Sequence, residues 1–297
     1  MKRKKNEQKN ITELTPEQVE AEIDELAVTP KRQRIWEVDF VRGLMILFVV
    51  WDHFMWDVRH VGAGSYNSAL FQWLYNLAAD YYSGSLRTVT QPVFVTMFIF
   101  TSGVSCSFSK SNIMRALKMC AFAITFTLVT DVISSVMHVR LTIYFNVIHV
   151  VAFSVLIYSL LEWVLSLCKK NWQKNIFGVF FFALTMTALI VGSCANHMNV
   201  NWTNIIFGES EWRTATIKTI KSGADYLSFL PDFGWFLVGA VLGKAIYRER
   251  KSIFPSVNAK YVSPVTFCGR HSLWVYFISQ IVMYGMIYLL HVMFNIL

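Results

Sequence analysis

Residues 89–108 read VTQPVFVTMFIFTSGVSCSF. This stretch carries no charge, and its length is that of a helix crossing a bilayer, which takes about 20 mostly apolar residues. The rest of the chain agrees with it. Of the 297 residues, 55% are hydrophobic and 15% charged, with 24 Phe, 12 Met and 10 Trp, and the mean hydropathy is +0.42. A soluble domain carries about 25% charged residues, so a soluble enzyme and an intrinsically disordered chain are both excluded. The expected fold class is all-α, a polytopic integral membrane protein with about seven transmembrane helices. The spans fall near 38–58, 89–108, 118–137, 142–168, 175–196, 226–247 and 272–295.

Ahead of them lies a polar tail, residues 1–33, with residues 34–297 forming the transmembrane domain. Thr15-Pro16-Glu17-Gln18 reads as a capping box with proline at the first helical position. Val19, Ile23 and Leu26 follow at helical spacing, which predicts a short amphipathic helix over 16–27. No internal repeat is visible, so nothing favours an inverted-repeat transporter. The five cysteines form no CxxC pair and read as packing residues. The seven histidines show no HExxH or Cys/His spacing, so no metal site is expected.

The net charge of +8 is distributed by topology and does not form a nucleic-acid stripe. Eight of the 27 Lys and Arg lie in the first 34 residues. With a cytoplasmic N-terminus, 20 basic residues fall inside and 6 outside, Arg42 being left out because it lies within a span. That asymmetry follows the positive-inside rule and predicts a multi-pass cell-membrane protein. Segments 59–88 and 197–225 are then external.

The first span, VDFVRGLMILFVVWDHFMWDV over 38–58, is a poor lipid-facing helix. It holds Asp39, Arg42, Asp52, His53 and Asp57. Charged side chains at membrane depth cost roughly 2.5–3.5 kcal/mol each and belong in a protein interior or wet cavity. Arg42 and His53 share one helix face, about 16 Å apart along the axis, and Asp39 and Asp57 flank that face. An imidazole can take a proton near neutral pH, with a nearby carboxylate holding its tautomer. Arg42 offers a donor fork for phosphate or carbonyl oxygens. Asp57, one turn beyond His53, is the expected orienting partner; Asp52 points about 100° away. The rival reading is a set of structural ion pairs.

Arg34-x-x-Glu37-x-Asp39-x-x-Arg42-Gly43, followed by His53, resembles the opening of the heparan-alpha-glucosaminide N-acetyltransferase catalytic-domain family, in its bacterial form. The Arg42-to-His53 spacing also resembles the wider transmembrane acyltransferase superfamily, including the acyltransferase-3 group. Phe98 to Gly103, Ile143 to His149, Asp225-Tyr226 with Pro231 to Gly234, and Gly269 to Leu273 resemble later motifs of the family in order. Ser279-Gln280 stands where many relatives carry His-Gln, so no second histidine role is expected there.

The resemblance implies an acetyltransferase using cytoplasmic acetyl-CoA, with a sugar or glycan acceptor at the outer face. His53 would be the base or the acetyl carrier, and N- and O-transfer both stay open. Arg42, Arg115 and Arg270 are placed by topology to meet the CoA phosphates, though Arg115 and Arg270 also read as positive-inside anchors. Asp39, Asp52, Asn146, His149 and Asp225 are expected to line or support the cavity, Asp225 having the further reading of a helix cap. The partners implied are acetyl-CoA, a sugar or glycan and the bilayer, without nucleic acid; a homo-oligomer stays open. The rival function is a transporter or channel using the polar stripe for protons or a small anion.

Overall fold

The computed structural model describes residues 35–60, 69–138, 142–167, 171–198, 200–249, 251–255 and 260–296. The tail and its expected helix lie outside them. The described chain forms α1 (Trp36–His60), α2 (Ala69–Ser83), α3 (Ser85–Val104), α4 (Asn112–Met137), α5 (Val147–Ser166) and α6 (Asn171–His197). It continues through α7 (Trp202–Phe207), α8 (Glu211–Lys221), α9 (Asp232–Ile246), α10 (Ser263–Arg270) and α11 (Ser272–Ile296). A 3-10 turn, Ser105–Phe108, extends α3. No strand occurs among the described residues, as an all-helical membrane protein requires.

Five helical stretches are long and apolar enough to cross a membrane: Ser85–Phe108, Asn112–Val136, Val147–Ser166, Ile176–His197 and Ser272–Met293. The two other expected spans differ for separate reasons. Helix α1 has 25 residues but carries the charges already noted. Helix α9 has only 15 residues, because 226–231 is not helical. Each buries one face in the bundle, α1 with Ile46, Val49 and Met55 and α9 with Phe236, Leu237 and Ala240. Helix α9 packs on α3, α5 and α6, and α1 packs on α2, α3, α10 and α11. Outside them, α4 and α11 expose Leu128, Val132, Ile281 and Leu289, the apolar surface that lipid covers.

Glycine sets the two closest crossings. A Cβ on Gly239 of α9 would run into the Phe100 carbonyl of α3, and one on Gly103 of α3 into the Phe236 carbonyl of α9. The pair works in both directions, so two backbones touch where side chains would hold them apart. Gly43 of α1 and Gly269 of α10 make the same reciprocal contact.

Two expected spans begin late. Residues 142–146 and 222–231 are not helical, and they pair with each other. Ala224 N–H donates to the Thr142 carbonyl at 2.9 Å, and Leu227 N–H to the Phe145 carbonyl at 3.0 Å. Irregular backbone packed among apolar helices is tolerated where it is buried in protein or lines a cavity. Here it does the latter.

Candidate active site

A cavity of ≈ 730 Å³ is bounded by α1, α3, α4, α11 and the irregular segment 223–227. Arg42, His53 and Asp57 all open on it, so the stripe read on the first span faces one space. At the rise of a helix, His53 lies about 16 Å beyond Arg42 and Asp57 about 6 Å further.

At one end, Arg42 donates to the Thr101 carbonyl at 3.2 Å and to Ser105 Oγ, which ties α1 to the end of α3. Arg115 joins it on the cavity wall and donates to the Ser102 carbonyl at 3.4 Å. Arg270 does not line this cavity. It pairs with Asp39 at 3.5 Å and donates to Thr266 Oγ1 at 3.3 Å. The expected third cation and Asp39 thus form a bridge between α10 and α1, and neither is among the cavity-lining residues.

Midway along, His53 Nδ1 lies 2.8 Å from the Val49 carbonyl of its own helix. A carbonyl only accepts, so Nδ1 carries the hydrogen and Nε2 is the ring nitrogen turned to chemistry. Nε2 faces Asp225 Oδ2 at 3.8 Å. No hydrogen bond links His53 to Asp57 among the described residues, so the imidazole's neighbour is not the one expected. Helical spacing brought Asp57 to the same stripe, but the carboxylate that reaches Nε2 arrives from a distant segment.

Asp225 is held from several directions. Tyr276 of α11 donates to its Oδ2 at 2.9 Å and Asn146 Nδ2 at 3.3 Å. Its backbone lies in the left-handed region, φ 53, which Asp tolerates better than most residues but not freely. The flanking bonds from Ala224 and Leu227 fix it there. Its side chain is 39% exposed, and it lines the cavity. Enclosure alone would raise its carboxyl, but the facing His53 imidazole and the donors Tyr276 and Asn146 hold it below the usual carboxylate range. It does not cap α9, which starts seven residues later at Asp232.

Asn146 is the N-cap of α5 and not part of the helix as expected; its Oδ1 accepts from Ile148 N–H at 3.1 Å. His149 completes the capping box. Its Nε2 lies 2.9 Å from Thr127 Oγ1, whose hydroxyl donates to the Ile143 carbonyl. Nε2 is therefore the donor, and Nδ1 accepts from Asn146 N–H at 3.4 Å. His149 is not among the cavity-lining residues; it supports Asn146, which in turn supports Asp225.

At the far end, Asp52 accepts from Arg87 Nε at 2.8 Å and Nη2 at 3.2 Å, and from Tyr81 at 3.1 Å. The Arg87 guanidinium also stacks 4.1 Å from the Tyr82 ring centroid. Asp57, 8% exposed, has no hydrogen-bond partner for its Oδ2 among the described residues. Neither do the described residues contain three or more His, Cys, Asp or Glu gathered to hold a metal.

Residues 34–281 match the family described as heparan-alpha-glucosaminide N-acetyltransferase, catalytic. The chain belongs to this family. Membership of the N-acetyltransferase family implies a transmembrane acetyltransferase, and it lends no support to the transporter reading. No curated protein and no solved structure matches the chain.

Two residues of this family member's cavity were not singled out in the sequence. Tyr276 sits among the apolar residues of the last span, and only its hydroxyl, which needs a partner when buried, could have flagged it. Arg87 read as an external basic residue. A single charge just before a span gives no sign that it folds back to a carboxylate on another helix.

Proposed function

We propose that this protein moves an acetyl group from acetyl-CoA on the cytoplasmic side to a sugar or glycan acceptor arriving from the outer face of the cell membrane. The observation that carries this reading is one cavity with two unlike ends and His53 between them. Arg42 and Arg115 at the first end supply cations for phosphate or carbonyl oxygens. Trp56, Asp57, Tyr82 and Arg87 at the other end present aromatic and polar groups of the kind a sugar needs. The N-terminal tail, and so the Arg42 end, is assigned to the cytoplasm by the Lys and Arg count.

With Nδ1 committed to the Val49 carbonyl, Nε2 takes a proton from the acceptor as its nitrogen or oxygen attacks the thioester carbonyl. Asp225 stabilises the imidazolium so formed, and Tyr276 and Asn146 keep Asp225 in place. The direct route uses His53 as base, which is typically worth about 10² to 10⁴ in rate.

The test is acetyl transfer from radiolabelled acetyl-CoA by the purified full chain, using amino sugars and neutral sugars as acceptors. His53→Ala should lose at least about 10²-fold in turnover while keeping its melting temperature and acetyl-CoA affinity. Wild-type turnover in that variant overturns the mechanism. Loss of fold together with activity points to a structural histidine instead.

A further inference from the structure

Deep in the cavity wall, Ile46, Phe94 and Val151 are buried. The exposed residues of that wall are Trp56 and Asp225 and, on α4 and α11, Val129, Ile133, Ile281 and Tyr284. The cavity thus opens along edges of two kinds. Trp56 and Asp225 carry polar atoms. The other four residues, 40–61% exposed, make an apolar edge on the two helices that also show Leu128, Val132 and Leu289 to lipid.

The order of side chains along α4 and α11 explains that edge. Both helices start at the Arg42 end. Arg115, in the first turn of α4, donates to the Ser102 carbonyl, and Arg270, just before α11, pairs with Asp39. Along their first halves, rings join the two helices. Phe122 lies 6.4 Å from Trp274 and 6.2 Å from Phe277, and Phe126 lies 6.1 Å from Phe277. Beyond Phe126, α4 holds no further aromatic residue. The same stripes continue as Val129 and Ile133 on α4 and as Ile281 and Tyr284 on α11, which are exposed. The closed part of this seam ends beside the base: Phe126 lies 6.5 Å from Tyr276, whose ring stands edge-on to the His53 imidazole at 5.5 Å.

A water-soluble sugar gains nothing from an apolar slot open to hydrocarbon. A chain already dissolved in the bilayer enters such a slot without leaving an apolar medium. Resting on the acetyl-transfer reading, we infer that the acceptor is a membrane glycolipid. Its sugar head reaches His53 in the cavity while its alkyl or isoprenoid chain lies between α4 and α11, along Val129, Ile133, Ile281 and Tyr284. An N–H or O–H of the head gives its proton to His53 Nε2, and its heteroatom bonds the thioester carbonyl carbon. The C–S bond breaks, and the proton passes on to the departing thiolate. Because lipid tails and aliphatic side chains are equally apolar, the slot contributes placement and little transfer energy. A chain held in the seam keeps the head at the level of the base.

The experiment compares octadecyl and methyl glycosides of glucosamine, which share a head bearing both an amine and hydroxyls, using the purified full chain in lipid nanodiscs. Transfer from radiolabelled acetyl-CoA gives the ratio of kcat/KM for the two. An octadecyl glycoside with a diazirine in its chain reports binding by photolabelling. The wild type should favour the octadecyl glycoside at least about tenfold. Val129→Trp and Ile281→Trp, which fill the seam, should each cut that ratio about tenfold. Leu128→Trp, on the lipid face of α4 and outside the cavity wall, should leave it unchanged. Equal use of the two glycosides by the wild type overturns the inference, a result that needs no variant to fold. So does a ratio that survives both seam variants, since the chain then only concentrates the acceptor in the bilayer and bilayer lipid fills the seam. A change instead in the relative use of palmitoyl-CoA and acetyl-CoA gives the seam to the donor's chain and also overturns it. If the seam variants do not fold, wild-type photolabelling decides: more label at Val129 and Ile281 than at Leu128 and Leu289 upholds the assignment, and even labelling overturns it. If the seam is labelled but no acetyl reaches either glycoside, the seam stands and the acetyltransferase reading falls. If both glycosides are acetylated at a ratio indifferent to the seam, the reverse holds.

Discussion

Nε2 of His53 faces Oδ2 of Asp225 at 3.8 Å, across the gap between α1 and the irregular segment 222–231. Because Nδ1 is occupied by the Val49 carbonyl, this is the one side of the ring on which a carboxylate can act. Asp225→Asn should lower kcat by about 10–100-fold, with the KM for acetyl-CoA changed by less than about twofold. A fall in acetyl-CoA binding alone would move Asp225 out of the base's support. The same residue gives a sign for pH. A carboxyl held below its ordinary value stabilises the fold fully above about pH 4, and that stability is lost as pH falls through the folded-state value. The difference in melting temperature between wild type and Asp225→Asn should therefore shrink on acidification.

Arg42 both lines the cavity and binds the α3 terminus at Thr101 and Ser105. Arg42→Ala should weaken acetyl-CoA binding about tenfold or more, and Arg42→Lys should recover only part of it because the planar fork is lost. Calorimetry on folded protein decides this. Unchanged affinity in Arg42→Ala removes the residue from the donor end.

The contrast between Arg42 and Asp225 explains how much was legible in the sequence. Arg42, His53 and Asp57 lie on one helix, so the 3.6-residue period was enough to put them on one face. The all-helical membrane class was legible for a similar local reason, since twenty uncharged residues need no tertiary information. Asp225 and Tyr276 reach His53 only because 142–146 and 222–231 pair as irregular backbone, and hydropathy averages over such breaks. The length of α9 was misread for that cause, with 226–231 counted as helix. Arg270 was not legible for another reason: its charge gave no sign of the pair it makes with Asp39 of α1.

Topology can be checked on engineered single cysteines in a background without the five native ones. Ser210→Cys, in the segment before α8, should react with an impermeant reagent in intact cells. Ser109→Cys, between α3 and α4, should react only after lysis. The reverse pattern would invert the orientation and exchange the proposed donor and acceptor sides.

The α3–α9 crossing depends on Gly239 meeting the Phe100 carbonyl. The obstacle is backbone, so it cannot swing aside as a side chain tip can. Gly239→Leu should destabilise the bundle by more than the 1–3 kcal/mol typical of added methylenes in a packed core, read as a loss of folded protein in thermal melting. Gly178→Leu is the control, because nothing lies within 4 Å of a Cβ there. Equal stability of the two variants would show that the close approach is not needed.

Tyr276 donates to the same Asp225 oxygen that faces His53, at 2.9 Å. Its hydroxyl is therefore two steps from the reacting nitrogen and acts by holding Asp225, which predicts a smaller effect than loss of Asp225 itself. A hydrogen bond to a charged group is worth about 1.5–3 kcal/mol, so Tyr276→Phe should cost roughly 10-fold in kcat, with part of the bond's value recovered by relaxation of the carboxylate. The double variant with Asp225→Asn separates the roles. If Tyr276 works through Asp225, the second substitution should add little once the first is made, and the coupling should nearly equal the Tyr276→Phe effect. Independent, multiplying losses would mean that Tyr276 touches the substrate on its own account. A Tyr276→Phe protein with wild-type kcat would leave Asn146 and the backbone bonds of 224 and 227 as sufficient supports for the carboxylate.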